Sequence, residues 1–356
     1  MLKSFVEMIF KALTKQRLEK VKMVTFGYFG FESLVVGYHI GLFDFLHRQP
    51  NSTLQQIKDY LKLSEGSVRA LLLACCAFGL IVKNKKRGTY RNDVIYDRLA
   101  VRESPNNILP MLDFHQYIIY RSLFDLEKSV KEGRNTGLEL FTGPGNTLYD
   151  RLSVHPDLQQ IFHDGMQCIS KTTNPHFVSN AKECKRLNHL VDVGGGDGTN
   201  CIALVKQYPN LKATIFDLPT VCELAKKEIQ KEGLSEKISV HPGNFFEDPF
   251  PSRMDGISYC HMANIYGREK NQLFFKKCHD ALPGEGVLML FQSVSNDDET
   301  GDIAAGAMSL YFLAVATGEG SVYSVKDNED RLKTAGFSKI KHLRLPFNHA
   351  LITGIK

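Results

Sequence analysis

The sequence contains no tryptophan and no C-x-x-C pair. Because 23 phenylalanines and 13 tyrosines are present, any aromatic pocket must be built from these two residue types. The eight cysteines are scattered, several of them within apolar runs, which is typical of reduced, buried thiols in a cytosolic protein. Zinc and iron–sulfur sites use paired cysteine spacings, so the sequence predicts no metal centre.

Two other features are weak or missing: a strong net charge and a long uninterrupted apolar run. With 44 Lys and Arg against 39 Asp and Glu, the net charge of +5 is too small to predict a nucleic-acid or anionic membrane partner. The most apolar stretch, Val24–Leu46, contains Glu32, His39 and Asp44, so it predicts a buried helix pair and not a membrane span. The first 20 residues lack a small-residue cleavage site, so we expect no signal peptide and a cytoplasmic location.

The length of 356 residues allows two domains. Residues 1–110 are helical in pattern, with Thr53 and Ser64 as predicted helix caps, followed by the hairpin-like segment IVKNKKRGTYRND. This order of helix, turn, helix and hairpin predicts a winged helix. The hairpin tip carries only four basic residues, too few for useful DNA affinity, so a transcriptional regulator is a minor alternative.

The pattern changes after residue 180. Residues 111–180 are again helical in pattern and are predicted to form a helical linker. Residues 181–356 alternate apolar β-branched runs with helical segments, which predicts an α/β fold with a doubly wound, mostly parallel sheet. The predicted strands are LVDVGG, KATIFDL, KISVHPG, GISYCHM, GVLMLFQSV, KIKHLRLPF and HALITGIK.

The most specific local motif is LVDVGGGDGTNCIAL, residues 190–204. A buried strand leads directly into Gly194, Gly195, Gly196, Asp197 and Gly198, and a helix follows. Glycines allow a ligand to approach the backbone closely, and the helix offers unpaired N–H groups. Because the G-x-G-x-x-G spacing is missing, a nicotinamide cofactor is disfavoured.

The next two predicted strands also end in residues suited to a nucleoside. Asp217 lies about 20 residues after the glycine motif, where a carboxylate can accept hydrogen bonds from both ribose hydroxyls. Asn244 and Phe245 follow the third strand, where they can contact an adenine ring. The alternatives are that Asp217 caps the following helix and that Phe245 is a core residue.

Together, VDVGGGDG, FDLP, GNFFEDPFP, HMANIYGREKNQLFFKKCHDALPGEG and KTAGF resemble the plant-type small-molecule O-methyltransferases, which include hydroxyindole and bacterial polyketide-tailoring members. The resemblance extends over nearly the whole chain. It implies a class I, Rossmann-like methyltransferase that uses S-adenosylmethionine, yields S-adenosylhomocysteine and methylates a hydroxyl of an aromatic or polyketide-type molecule. It also implies that the winged-helix region is a homodimerisation domain.

The resemblance further assigns residues to the cofactor and to the substrate. Asp217 is placed on the ribose, Asn244 and Phe245 at the adenine, and Ser170 near the cofactor carboxylate. The complete cofactor set that it implies is Ser170, Asp192, Gly194, Gly195, Gly196, Asp217, Leu218, Asn244, Phe245 and Cys260. Phe162 and Met166, one helical turn apart, are implied to contact the substrate, although this spacing also suits a packed core.

The sequence departs from the family at the position of its general base. Family members have a histidine after the fourth strand, where this chain has Asn264. An amide cannot act as a base near neutral pH, so Asn264 is predicted to orient the substrate. Two other histidines are candidates for the proton acceptor: His115, on a helix that lines the substrate pocket in relatives, and His261. The substitution also leaves open a family member that has lost methyl transfer and acts as a pericyclase or hydroxylase.

Overall fold

The computed structural model describes residues 2–356, with side chains from Thr14 onward. The chain divides into two compact units, one ending at Gln116 and the other comprising Tyr117–Lys356. The predicted segment boundaries at residues 110 and 180 stay predictions. No single helix in the described part of the chain is long and apolar enough to cross a membrane, whereas the bent pair Thr14–His39 and Leu42–Arg48 meets that test of length and composition together.

The N-terminal unit consists of helices and a small antiparallel sheet. Its helices are α1 (Leu2–His39), α2 (Leu42–Arg48), α3 (Leu54–Leu61), α4 (Glu65–Ala77), α5 (Val94–Leu99) and α6 (Leu109–Phe114), and its strands are β1 (Ser52–Thr53), β2 (Ile81–Asn84) and β3 (Thr89–Asn92). Thr53 and Ser64 cap α3 and α4 through hydrogen bonds to backbone N–H groups, as predicted. The predicted hairpin is present as the antiparallel pair β2–β3.

The prediction of a buried helix pair within Val24–Leu46 is correct only for the C-terminal part of that stretch. Phe43, Phe45 and Leu46 lie in the core of the N-terminal unit, whereas Val24 and Phe29 of α1 are exposed. Periodicity indicated that these side chains are apolar, but which of them the unit covers depends on its tertiary contacts.

The C-terminal unit contains a seven-stranded sheet with helices on both faces, which confirms the predicted fold class. Its helices are α7 (Tyr120–Ser122), α8 (Leu126–Glu132), α9 (Leu148–Leu152), α10 (Pro156–Asn180), α11 (Thr199–Gln207), α12 (Pro219–Lys231), α13 (Arg268–Ala281), α14 (Ile303–Tyr311) and α15 (Val325–Ala335). Its strands are β4 (His189–Val193), β5 (Lys212–Asp217), β6 (Ile238–Pro242), β7 (Gly256–Cys260), β8 (Val287–Ser293), β9 (Ser338–Leu345) and β10 (His349–Ile355).

The strand order is β6-β5-β4-β7-β8-β10-β9. Strands β4 to β8 are parallel, and β10 pairs antiparallel with both β8 and β9. Side chains of α10, α11 and α12 pack on one face of the sheet, and those of α13 and α15 pack on the other. The order of the strands reverses between β4 and β7, and the carboxyl ends of strands at such a point form the usual ligand crevice.

Candidate active site

The glycine motif follows β4 at the reversal point and adopts a backbone conformation that favours glycine. Gly194, Gly196 and Gly198 have φ angles of 67°, 59° and 86°. A Cβ atom on Gly194 would lie only 2.6 Å from the sulfur atom of Met262. The loop ends at α11, whose first N–H groups have no partner within the helix. A methyl group at Gly194 would therefore disturb a loop that can approach a ligand closely.

Asp217, the last residue of β5, is held beside this loop by two backbone N–H groups. The N–H of Gly196 donates to its Oδ2 at 3.0 Å, and the N–H of Leu218 donates to its Oδ1 at 2.7 Å. Burial raises the pKa of the Asp217 carboxyl, while the two N–H groups oppose this increase. The hydrogen bonds fix both oxygens, and each retains acceptor capacity for a hydroxyl group.

Asp192, which the resemblance places with the cofactor, is fully buried inside the sheet. Its carboxylate accepts hydrogen bonds from the Ser258 hydroxyl at 2.6 Å and from the Cys201 thiol at 3.6 Å. A Cβ atom on Gly195 would lie 2.9 Å from Asp192 Oδ2. Asp192 thus lies directly beneath the glycine loop, and its predicted contact with the cofactor stays a prediction.

Asn244 and Phe245 follow β6, as predicted. The Asn244 Oδ1 accepts the N–H of Phe246, and this turn fixes the start of the loop. Phe245 packs edge-on against Phe216 and Phe274 and is only 8% exposed. The ring is thus mainly part of the core, and its contact with an adenine ring stays a prediction.

Beside Phe245, Tyr266 completes an aromatic wall that the sequence analysis did not include. Its ring lies edge-on to Phe246, with ring centroids 4.7 Å apart. The Lys270 ammonium lies 4.7 Å from the centre of the Tyr266 ring and 3.6 Å from a carboxylate oxygen of Glu319. The signal in the sequence that could have identified Tyr266 is its position two residues after Asn264, in the segment where the chain departs from the family.

Cys260 ends β7, and His261 follows it with a φ of 59°. The Nε2 atom of His261 is buried, and its ring centre lies 5.2 Å from that of His349. Burial, reinforced by His349, lowers the pKa of His261 to about 3. A group with this pKa is a very weak base at neutral pH, so the structure argues against His261 as the proton acceptor.

Asn264 lies in a short 3₁₀ turn and is buried. Its Nδ2 donates to the Ser293 carbonyl at 2.8 Å, and its Oδ1 accepts the N–H of Tyr323 at 3.3 Å. Both the Nδ2 and the Oδ1 of Asn264 are therefore already hydrogen-bonded to the backbone of other segments. The predicted hydrogen bond to a substrate would have to use the second N–H donor or the second acceptor lone pair of this amide.

The predicted residues Phe162, Met166 and Ser170 lie on α10 and are all half-buried. The Phe162 ring lies edge-on to Tyr149, at a centroid distance of 5.8 Å. Burial raises the pKa of both Tyr149 and Tyr311, whose hydroxyls also affect each other. Tyr149 was missed because α9, which carries it, is a single short helix without a clear periodicity.

His115 belongs to the N-terminal unit, where it begins a π-helical turn after α6. Burial lowers the pKa of His115, so its imidazole is neutral at pH 7 and retains a lone pair that can accept a proton. Among residues 14–356, no group of three or more His, Cys, Asp or Glu side chains is arranged to hold a metal ion.

This combination of a glycine loop and a strand-end carboxylate matches a known family along most of the chain. Residues 123–338 match the family model of the O-methyltransferase domain. The chain belongs to this O-methyltransferase family. It is 31% identical to the L-tyrosine C(3)-methyltransferase of Streptomyces lavendulae, over 93% of this chain and 89% of that protein.

Two further comparisons support the same assignment. The chain is 25% identical to the 3-hydroxy-5-methyl-1-naphthoate 3-O-methyltransferase of Streptomyces sahachiroi, over 91% of each protein. The crystal structure of the S-adenosylmethionine-dependent methyltransferase SibL superimposes with a TM-score of 0.82 and 30% identity, covering 95% of this chain and 99% of that one. The protein is a class I, S-adenosylmethionine-dependent methyltransferase, as predicted.

The residues at the carboxyl ends of β4 and β5 fit this cofactor. A Cβ atom on Gly194 would crowd the loop, and Asp217 presents a fixed carboxylate suited to two hydroxyl groups. When bound, S-adenosylmethionine supplies an electrophilic methyl group that a nucleophile takes by in-line displacement. The contacts of individual residues with the cofactor stay predictions.

Proposed function

We propose that this enzyme methylates a phenolic hydroxyl of an aromatic small molecule. The observation that carries the proposal is the pair of rings Phe162 and Tyr149 in the C-terminal unit, which pack edge-on, with Met166 on the next turn of α10. Such side chains hold a flat ring by apolar contact and leave its hydroxyl to be oriented by polar groups. Two relatives are named for methylation of tyrosine and of a hydroxynaphthoate, both of which are phenols.

The fate of the phenolic proton determines how this chain works without the family's histidine. Asn264 cannot accept a proton, and the pKa of about 3 makes His261 a poor acceptor. His115 remains the candidate base: burial lowers its pKa as well, which weakens it as a proton acceptor but keeps its imidazole neutral. An acidic phenol needs little assistance, since a correctly positioned phenolate already has much of the required reactivity.

Methylation at a ring carbon is a second candidate reaction. The relative with 31% identity is named as a C(3)-methyltransferase of tyrosine. Ionisation of a phenol makes its ortho carbon nucleophilic as well as its oxygen. The same pocket therefore supports either product, depending on which atom it aligns with the methyl group.

A screen of phenols with isotopically labelled S-adenosylmethionine tests the proposal and separates the two reactions. We expect one phenol to gain a labelled methyl group, with loss of its free hydroxyl as shown by mass spectrometry after chemical acetylation. A methylated product that still accepts an acetyl group at the same position would establish C-methylation. Consumption of a substrate without label transfer, in the presence of bound cofactor, would instead favour the pericyclase or hydroxylase alternative.

We further propose that the enzyme acts as a cytoplasmic homodimer. Exposed apolar side chains cluster on α1, including Val21, Val24 and Phe29. Patches of this kind on a folded unit usually mark an interface. The eight cysteines are all free thiols, which supports a reducing compartment.

A further inference from the structure

One stripe of α10 contains both predicted site residues and an additional histidine. The members of this stripe, spaced three or four residues apart, are His163, Met166, Ser170, Asn174 and Phe177. Residues with this spacing lie on one face of a helix. Phe177 is fully buried and stacks on Phe291 of the sheet, with ring centroids 5.1 Å apart. The C-terminal end of the stripe is thus anchored on the core of the C-terminal unit.

His163 is unusual in this stripe because it buries a polar atom that lacks a partner. Its Nε2 is inaccessible to solvent and makes no hydrogen bond within the described part of the chain. Phe162 lies edge-on to the imidazole, with ring centroids 5.9 Å apart. A buried ring nitrogen without a partner is costly, so a group that binds beside it and accepts or donates a hydrogen bond would be stabilised there.

His163 also acts electrostatically on Asp217. The imidazole is near enough to the Asp217 carboxylate to lower the pKa of that carboxyl, although no hydrogen bond joins the two side chains. The Asp217 oxygens are already fixed by the N–H groups of Gly196 and Leu218. An unpartnered ring nitrogen on α10 and a fixed carboxylate with spare acceptor capacity at the end of β5 are thus both available to a bound group.

We propose that His163 is a cofactor-binding residue whose Nε2 donates a hydrogen bond to a ribose hydroxyl that Asp217 binds from the opposite side. This rests on the assignment of Asp217 to the ribose. A hydroxyl suits both partners because its hydrogen is donated to the carboxylate while its oxygen accepts the imidazole N–H. Ser170, predicted near the cofactor carboxylate, lies two helical turns further along, or about 10 Å at 1.5 Å per residue. His163 and Ser170 would then contact two parts of one extended cofactor, the ribose and the carboxylate.

Calorimetric titration with S-adenosylhomocysteine tests this role without requiring turnover. His163→Phe keeps a ring of similar shape and removes the donor, so we expect binding about 5- to 20-fold weaker, as for one lost hydrogen bond. His163→Gln, which keeps a donor, should recover part of the affinity. The matched control is Gln167→Ala, because Gln167 is exposed on the same helix and should leave binding unchanged.

The 2′-deoxy and 3′-deoxy analogues of S-adenosylhomocysteine identify the contact. For the analogue that lacks the contacted hydroxyl, the wild type and His163→Phe should bind equally. Unchanged affinity for S-adenosylhomocysteine in His163→Phe, or the same loss with all three ligands, would overturn the proposal. If Asp217→Ala also binds all three ligands normally, the ribose assignment itself fails. If the wild type does not bind S-adenosylhomocysteine, the result contradicts the use of this cofactor by the protein, and with it both residue assignments.

Discussion

The Ser258 hydroxyl donates a hydrogen bond of 2.6 Å to the carboxylate of Asp192, and both side chains are fully buried. The two residues lie 66 positions apart on the neighbouring strands β4 and β7. Because Gly195 lies directly against the same carboxylate, this hydrogen bond connects the centre of the sheet with the glycine loop.

Burial raises the pKa of Asp192 from 3.8 to about 6, which predicts a specific pH dependence of stability. Between these two values the folded protein holds a proton that the unfolded chain has released. The contribution of this carboxyl is therefore fully present below pH 4 and decreases as the pH rises through 6. The shift corresponds to about 3 kcal/mol in the free energy of unfolding.

Denaturant unfolding of the wild type and Asp192→Asn at pH 4, 5, 6 and 7 measures this contribution. Asparagine has nearly the same shape and does not titrate in this range. We expect the stability of the wild type, relative to the variant, to decrease by about 3 kcal/mol between pH 4 and pH 7. A constant difference across this range would show that Asp192 does not titrate as described.

Replacing Asp217 should weaken cofactor binding. Asp217→Ala removes the carboxylate predicted to bind the ribose, and a hydrogen bond to a charged group contributes about 1.5–3 kcal/mol. We expect the affinity for S-adenosylhomocysteine, measured by calorimetry, to decrease by roughly 10- to 150-fold. Glu223→Ala is a suitable control because Glu223 forms an exposed ion pair with Lys226 on α12. Equal affinities of Asp217→Ala and the wild type would remove the ribose assignment.

Replacing Asn264 should reduce both stability and turnover. Asn264→Ala leaves the Ser293 carbonyl and the Tyr323 N–H without their partner, which should cost about 2–4 kcal/mol of unfolding free energy. If the amide also orients the substrate, turnover of the folded enzyme should decrease about 10- to 100-fold. A loss of stability with normal turnover would limit Asn264 to a structural role.

His115→Ala tests whether His115 accepts the proton of the substrate hydroxyl or whether methylation proceeds without a protein base. If His115 accepts the proton, this substitution should reduce turnover more than Asn264→Ala does. A more acidic substrate analogue should then partly restore the rate, because its hydroxyl ionises without assistance. A rate that responds neither to His115→Ala nor to substrate acidity would contradict both the role of His115 as a base and the methylation of a substrate that ionises by itself.

A charge on the exposed apolar face of α1 should disrupt the proposed dimer. Val24 is 86% exposed, so Val24→Asp should leave the monomer folded while placing a carboxylate in the interface. In sedimentation velocity, we expect the wild type at twice the chain mass of 40.1 kDa and the variant at the mass of the monomer. Leu273→Asp, at an exposed leucine of α13, serves as the control. A monomeric wild type at micromolar concentration would contradict the proposal.

The sequence by itself determined the framework of the C-terminal unit. All seven predicted strands are present, and the glycine loop and Asp217 lie at the ends of β4 and β5 as expected. These features depend on alternating or continuous apolar residues, on glycine and on caps, all of which act between near neighbours in the chain. Helix α14, Ile303–Tyr311, was not predicted, since it is rich in small apolar residues and lacks a clear polar face.

Only the tertiary structure decided what the individual polar side chains do. The sequence could not show that Asp192 is fully buried and hydrogen-bonded to Ser258, a residue of the neighbouring strand that lies far away in the chain. His163 was overlooked between Phe162 and Met166, although it shares their helix, because its electrostatic effect on Asp217 joins residues that are far apart in the sequence. Likewise, apolar periodicity could not distinguish the exposed Val24 from the buried Leu46. Local patterns specify conformation, whereas burial and pairing depend on contacts between residues that are far apart in the sequence.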